Sequence, residues 1–271
     1  MDKTNALPDR DAYLKNARIM AGAAGRYLRE HLYDSHHVRF KGEIDIVTEA
    51  DQAAEDLIVT AIRSNYPGHD ILAEESPATS LGSPFRWIID PLDGTTNYSH
   101  GYPVFCVSIA LEIQGVCALG VVYNPMLEEM FTAMKGQGAF LNDEPIAVSG
   151  TAEISRSLLA TGFPYDIRFS SDNNMDYFAV MALNAQAIRR AGSAALDLAY
   201  VAAGRFDGFW ELKLKPWDKA AGCLLVSEAG GRVSDIHGGD FILDAPHVVA
   251  SNGRIHTQML ETLKGAARSG Q

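Results

Sequence analysis

The stretch Trp87-Ile-Ile-Asp-Pro-Leu-Asp-Gly-Thr-Thr-Asn97 constrains this chain more than any other. The apolar run from Trp87 to Ile89 predicts a short buried strand. It would deliver Asp90 to the strand end, where Pro91, which has no N–H, is expected to stop the strand. Asp93 follows three residues later, then Gly94 and the hydroxyl pair Thr95-Thr96. Two carboxylates held this close at a rigid strand end repel each other unless a cation sits between them. Hard divalent cations such as Mg2+ take oxygen ligands of this kind. Gly94 permits a tight turn, and the N–H groups of a helix starting there would face a phosphate. By itself the segment also reads as a plain Asp-Gly turn with Thr95 capping a helix. Other acidic groups in the same local setting are what separate the two readings.

Composition narrows the function classes. The 271 residues suffice for one large or two small domains with a substantial core. The formal net charge of −11, from 23 basic and 34 acidic residues, argues against an extended nucleic-acid interface, which needs a basic face. Anionic substrates stay open, because bound metals reverse the local sign. The polar start, residues 1–8, has no apolar core of a signal peptide. No apolar run approaches the roughly 18–20 residues that span a bilayer, so no membrane association is expected. Cys106, Cys117 and Cys223 sit in apolar surroundings without a C-x-x-C pair and read as buried thiols in a reducing cytoplasm. The eight histidines lack metal-ligand spacing, and His36-His37 falls in a polar loop.

Periodicity predicts a helix over residues 11–33, a polar loop through Lys41-Gly42-Glu43 and a short strand from Ile44 to Thr48. A helix starting at Glu49-Ala-Asp51 is expected to end at Tyr66-Pro-Gly68. Ile71 to Ala73 predicts a strand that ends at Glu74-Glu75. Segments 104–113, 116–123 and 130–134 predict an antiparallel meander. Lys135-Gly-Gln-Gly138 resembles a phosphate loop but lacks the following helix, so a hairpin turn is expected. After about Val148 strand and helix alternate: strands at 157–162, 188–190, 206–211 and 248–250, with helices at 173–184, 193–203, 217–229 and the C-terminus. Gly230-Gly231 would close the helix at 217–229, and the tail from Gly265 to Gln271 is expected to fray. The first half thus reads as α+β and the second as α/β.

Four acidic positions share one logic, an apolar run leading to a carboxylate at an element end. They are Asp51, Glu74-Glu75, Asp90 with Asp93, and Asp218 after Lys215-Pro216-Trp217. Singly, Asp51 or Asp218 reads better as a helix cap. Together the four positions could converge on one or two cations.

Asp90 to Asn97 is similar to the central signature of the inositol monophosphatase family, metal-dependent and lithium-sensitive sugar phosphatases. Glu74-Glu75-Ser76 resembles that family's upstream acidic pair, and Asp45-Ile-Val-Thr-Glu-Ala-Asp51 its N-terminal segment. Pro216-Trp-Asp-Lys-Ala-Ala-Gly222 with Glu228-Ala-Gly-Gly231 resembles its second signature. The resemblance spans roughly residues 40–232. It implies a layered αβαβα sandwich, with an antiparallel sheet in the N-terminal half (1–148) and a mixed sheet in the C-terminal half (149–271), forming one compact unit. It implies two or three Mg2+ per site. Glu74, Asp90 and the carbonyl oxygen of Leu92 would hold the first, and Asp90, Asp93 and Asp218 the second. A third would lie near Glu74, with Glu75 ordering its waters. Gly94 and Thr95 N–H groups would bind the phosphate, and Thr95 with Asp51 would help deprotonate a water. Asp93, Asp218, Gly192-Ser193-Ala194 and Glu211 would contact the substrate. A homodimer is typical of the family, and the meander at 104–122 offers a surface for one.

The expected reaction is hydrolysis of inositol monophosphate or a similar polyol or sugar phosphate by in-line attack of water. Haloacid-dehalogenase chemistry fails on spacing, since the residue two before Asp93 is Pro91. Fructose-1,6-bisphosphate, bisphosphate nucleotides and histidinol phosphate remain alternatives within the resembled superfamily. A regulatory scaffold on the same fold is the alternative from another class. Arg189-Arg190 reads as surface charge, an interface pair or an anion contact. Trp87 and Trp217 read as packing anchors.

Overall fold

The computed structural model describes residues 9–34, 39–40 and 46–269. The polar start, His36-His37, the loop at 41–43, Ile44-Asp45 and the last two residues of the tail lie outside the described residues. The N-terminal half runs α1 (Arg10–His31), β1 (Arg39–Phe40), β2 (Ile46–Val47), α2 (Glu49–Asn65), β3 (Asp70–Ala73), β4 (Phe85–Asp93) and α3 (Thr95–Ser99). It continues through β5 (Cys106–Ile113), β6 (Val116–Asn124), β7 (Glu129–Met134), β8 (Ala139–Leu141) and β9 (Glu144–Ile146). The C-terminal half runs β10 (Leu158–Thr161), α4 (Met175–Asn184), β11 (Ala187–Arg189), α5 (Ala194–Ala202) and β12 (Gly208–Glu211). It closes with α6 (Pro216–Glu228), β13 (Arg232–Ser234), β14 (Val248–Ser251) and α7 (His256–Ser269).

Strands β3 to β9 form a seven-stranded sheet in sequence order, antiparallel except for the parallel pair β3–β4. Five strands in the order β11-β10-β12-β14-β13 form the second sheet, parallel on one side and antiparallel on the other. Period-two alternation sends side chains to both faces of each sheet. On β4, Trp87 and Ile89 pack under α1 and α2, while Ile88 faces α5 and α6. On β12, Phe209 faces α5 and α6, and Trp210 packs with Met181 of α4 and Met259 of α7. The layers are therefore helix, sheet, helix, sheet, helix, as the fold class expected from the sequence requires. Small residues let the middle layer sit close. A Cβ on Gly120 would lie 2.9 Å from the Ala221 Cα, so β6 admits the backbone of α6 at this point.

The strand expected to stop at Pro91 instead runs on to Asp93. Its register against β5 shifts between Asp90, opposite Ser108, and Asp93, opposite Cys106. Three steps on β4 face two on β5, the signature of a bulge. Pro91 falls inside it, where the ladder asks no N–H of it. The Lys135–Gly138 segment is the hairpin turn between β7 and β8. The N–H groups of Gly136 and Gly138 donate to the Glu228 carboxylate, each at 2.9 Å, so this turn already holds an anion of the chain's own. Cys106, Cys117 and Cys223 are free thiols; Cys106 and Cys223 are buried, whereas Cys117, at the start of β6, is only partly so. Among the described residues no helix is long and apolar enough to cross a membrane.

Candidate active site

The bulge in β4 decides what the two aspartates can do together. Three residues apart on a regular strand, Asp90 and Asp93 would point to opposite faces. The extra residue restores their phase, and both line one cavity of about 430 Å3. Glu74, just past β3, lines it too, because the parallel β3–β4 pairing ends both strands at this edge. Asp218 reaches it from the first turn of α6. Pro216 opens that helix, and the Asp218 carboxylate accepts the Lys215 N–H at 2.6 Å. The next residue, Lys219, is buried, with its Nζ donating to the carbonyls of Leu214 and Ala245.

These carboxyls crowd one another. Burial pushes Asp90 well above the usual carboxylate range, and the charges of Glu74, Asp93 and Asp218 add to the shift. Burial also raises Asp93, against hydrogen bonds from Ser193, Ala195, Ala194 and Cys106. The Asp93 Oδ2 accepts Ser193 Oγ at 2.7 Å and the Ala195 N–H at 2.7 Å, so the start of α5 fixes its direction. Asp218 is pushed up to about 7 by burial and by Asp93. Glu211, at the end of β12, is pushed up to about 8 by burial, then by Asp218 and Asp93, while Arg190 opposes the shift. The donor set is all oxygen and mutually repelling, and this suits a hard divalent cation. Among the described residues no three acidic, histidine or cysteine side chains already stand as a closed ligand set. The carboxyls line a common space instead.

Beside the aspartates, Gly94 has φ of 104° and serves as the N-cap of α3. A Cβ there would lie 3.0 Å from the Val104 carbonyl oxygen, so only glycine fits on both counts. Thr95 is the first residue of α3 rather than its cap. Its hydroxyl lies 2.9 Å from the Asp51 Oδ1 and 3.1 Å from the Leu92 carbonyl oxygen. Asp51 is wholly buried at the start of α2, where its other oxygen accepts the N–H and hydroxyl of Thr48 in a capping box. Asp51 thus caps a helix and meets Thr95 from 44 residues away.

The C-terminal half also contributes Gly192, Ser193, Ala194 and Glu211 to the lining of the same cavity. Asn97 ties the halves together, since its amide donates to the carbonyls of Val104 and Ala191 at 2.7 and 2.8 Å. Gly162 backs Glu211 so closely that any Cβ would overlap the Glu211 carboxyl. Glu75 is not among the lining residues, and its backbone N–H donates to Glu55. Trp87 is fully buried with its Nε1 on His69, whereas Trp217 lines the cavity.

Arg190, for which an anion contact is one of the readings from sequence, stands on the cavity wall. Two parts of the lining escape the sequence reading: the segment from Thr161 to Asp166, which forms one side, and Asp197 of α5. Its signal was present, as the one charged residue in a run of small and apolar ones from Ala194 to Ala203.

Comparison with known proteins agrees over most of the chain. The sequence profile described as "Inositol monophosphatase family" matches residues 9–268. The chain is 46% identical over 257 residues to "Inositol-1-monophosphatase" of Synechocystis sp., covering 94% of this chain and 90% of that one. It is 46% identical over 225 residues to "Nus factor SuhB" of Escherichia coli, covering 83% and 84%. Among solved structures, inositol monophosphatase from Anabaena (Nostoc) sp. superposes with a TM-score of 0.87 at 43% identity, covering 95% of this chain and 97% of that one.

Proposed function

The chain belongs to the inositol monophosphatase family, a family of phosphate-monoester hydrolases, and from that premise we propose that it hydrolyses inositol monophosphate or a similar polyol phosphate with Mg2+. The observation that carries the reading is the convergence of Glu74, Asp90, Asp93 and Asp218 on one cavity that Glu211 also lines. Glu74, Asp90, Asp93, Asp218 and the Leu92 carbonyl oxygen would hold two or three cations. Bound there, the cations would neutralise the ester's charge and acidify a water. Backbone N–H groups of Gly94 and Thr95 would hold phosphate oxygens. Thr95 and Asp51 supply the proton path: the attacking water passes a proton to the Thr95 oxygen as Thr95 passes its own to Asp51. The water oxygen then bonds to phosphorus, the ester P–O bond breaks in line, and the leaving alkoxide is protonated from solvent. No side chain is phosphorylated.

Glu211 and the Gly192–Ala194 turn would receive the ring hydroxyls. Gly162→Ala tests this, because the new methyl displaces the Glu211 carboxyl at its flexible end. KM for inositol-1-phosphate is expected to rise about tenfold, with Tm within about 2 °C, since only a side-chain tip must move. An unchanged KM would remove Glu211 from the site.

The reading includes lithium inhibition, a homodimer and a cytoplasmic setting, in keeping with the family resemblance and the three free thiols. A substrate panel tests the whole: inositol-1-phosphate, fructose-1,6-bisphosphate, histidinol phosphate, 3′-phosphoadenosine-5′-phosphate and NADP, each with Mg2+ and with EDTA. Inositol-1-phosphate is expected to give the highest kcat/KM, lost in EDTA. Faster turnover of fructose-1,6-bisphosphate would favour the second substrate class. No turnover of any ester would favour a regulatory role such as the name of the Escherichia coli relative suggests.

A further inference from the structure

Asp197 lies in the first turn of α5, 1% exposed, on the wall of the cavity that also holds Glu211 and Arg190. Its Oδ1 is buried and has no hydrogen-bond partner. Buried polar atoms in native proteins are almost always paired, so an orphan on a cavity wall calls for a partner that comes with the ligand. Its electrostatic neighbours are Glu211, Asp93 and Arg190, and burial with the two acidic charges pushes its carboxyl well above the usual range. A purely structural aspartate has no reason to stand there. Its neighbours on α5, Leu196 and Leu198, are fully buried apolar residues that pack the middle layer. A leucine at 197 would cost the helix nothing and would remove an unpaired polar atom.

We propose that Asp197 is a specificity-determining residue, whose unpartnered Oδ1 accepts a hydrogen bond from the hydroxyl-bearing side of a polyol phosphate next to Glu211. The proposal rests on the polyol-phosphatase reading above and deepens it. The ligand class is a phosphate ester whose alcohol carries several hydroxyls. An ester without hydroxyls leaves Oδ1 as it stands in the structure.

The test compares inositol-1-phosphate with p-nitrophenyl phosphate, which has no hydroxyl, in the full-length chain with Mg2+. The readout is the ratio of the two kcat/KM values. In Asp197→Leu and Asp197→Ala the ratio is expected to fall about tenfold, mainly through KM for inositol-1-phosphate, as for loss of one buried hydrogen bond. Asp197→Asn keeps an Oδ1 acceptor and should retain the ratio within about threefold. Asp197→Leu should melt no lower than the parent, because replacing an unpaired buried carboxyl by an apolar side chain is neutral or stabilising. A structural role alone would lower the melting temperature and leave the ratio in place. Either truncation that folds is sufficient: a fall of fivefold or more supports the assignment, and a smaller one overturns it. If the unmodified chain hydrolyses neither ester, the polyol-phosphatase reading itself has failed and the inference falls with it. If the parent turns over both and the ratio holds in the variants, the inference alone is lost.

Discussion

Asp90→Asn is expected to lower kcat/KM for inositol-1-phosphate by about a thousandfold or more at saturating Mg2+, while the metal-free protein melts no lower than its parent. The two halves of this expectation share one cause. Asp90 is buried among like charges, with Glu74, Asp93 and Asp218 all raising its proton affinity. Asparagine keeps the shape and the oxygen that accepts the Leu92 N–H at 3.0 Å. It removes the negative charge, which is unfavourable in the empty cavity and needed only when cations are present. Losing one strong electrostatic contact in a preorganised site costs about a hundred- to a thousandfold. A group proposed to serve two cations at once stands at the upper end or beyond it. Steady-state kinetics and calorimetry in EDTA read the two effects separately. Activity within tenfold of the parent would place Asp90 outside the chemistry.

Mg2+ added to EDTA-stripped protein is expected to raise Tm by about 5–10 °C at pH 8 and much less at pH 6. A ligand that binds only the folded state at about a hundredfold excess over its Kd adds about 2.7 kcal/mol. For a chain of this size each kcal/mol moves Tm by roughly 2–4 °C. The pH dependence follows from the carboxyls. Asp218 is pushed up to about 7, and Asp90 and Asp93 are raised as well, all from unfolded values near 4. Between about pH 4 and 7 the folded state therefore keeps the Asp218 proton that the unfolded chain has released, and Asp90 and Asp93 act in the same direction. The contribution of these groups to metal-free stability is present in acid and is lost as pH rises through that window. In acid, protons also occupy the oxygens a cation would need. Scanning calorimetry at matched ionic strength, with NaCl as the control, checks this. Equal shifts at both pH values, or an equal shift with NaCl, would refute it.

Much of this architecture is legible in local pattern. The apolar faces of α1 and α2, the β5–β7 meander and the Pro-Trp-Asp start of α6 lie within two residues of where periodicity puts them. Pro91 misled because proline is a sound stop signal on a regular ladder and a neutral one inside a bulge. A bulge depends on the partner strand, so nothing local announces it. The pairing of β3 with β4 and the seating of α6 against Gly120 likewise depend on contacts distant in sequence. Short strands such as β8, β9 and β13 carry too few residues for a period to show. In the site, residues set in strong signatures stood out. Asp197 did not, and Arg190 admitted several readings, an anion contact among them, because a lone charge in an apolar run or before a helix gains meaning only once its neighbours are known.

The ring of carboxyls also dictates an order of events. Without counterions, the cleft of a chain carrying a formal charge of −11 repels the phosphate it is proposed to bind, and the hairpin N–H groups of Gly136 and Gly138 are already filled by Glu228. On the proposed reading divalent ions would have to arrive first, and the supply of free magnesium would set how much of the protein is open for business at a given moment.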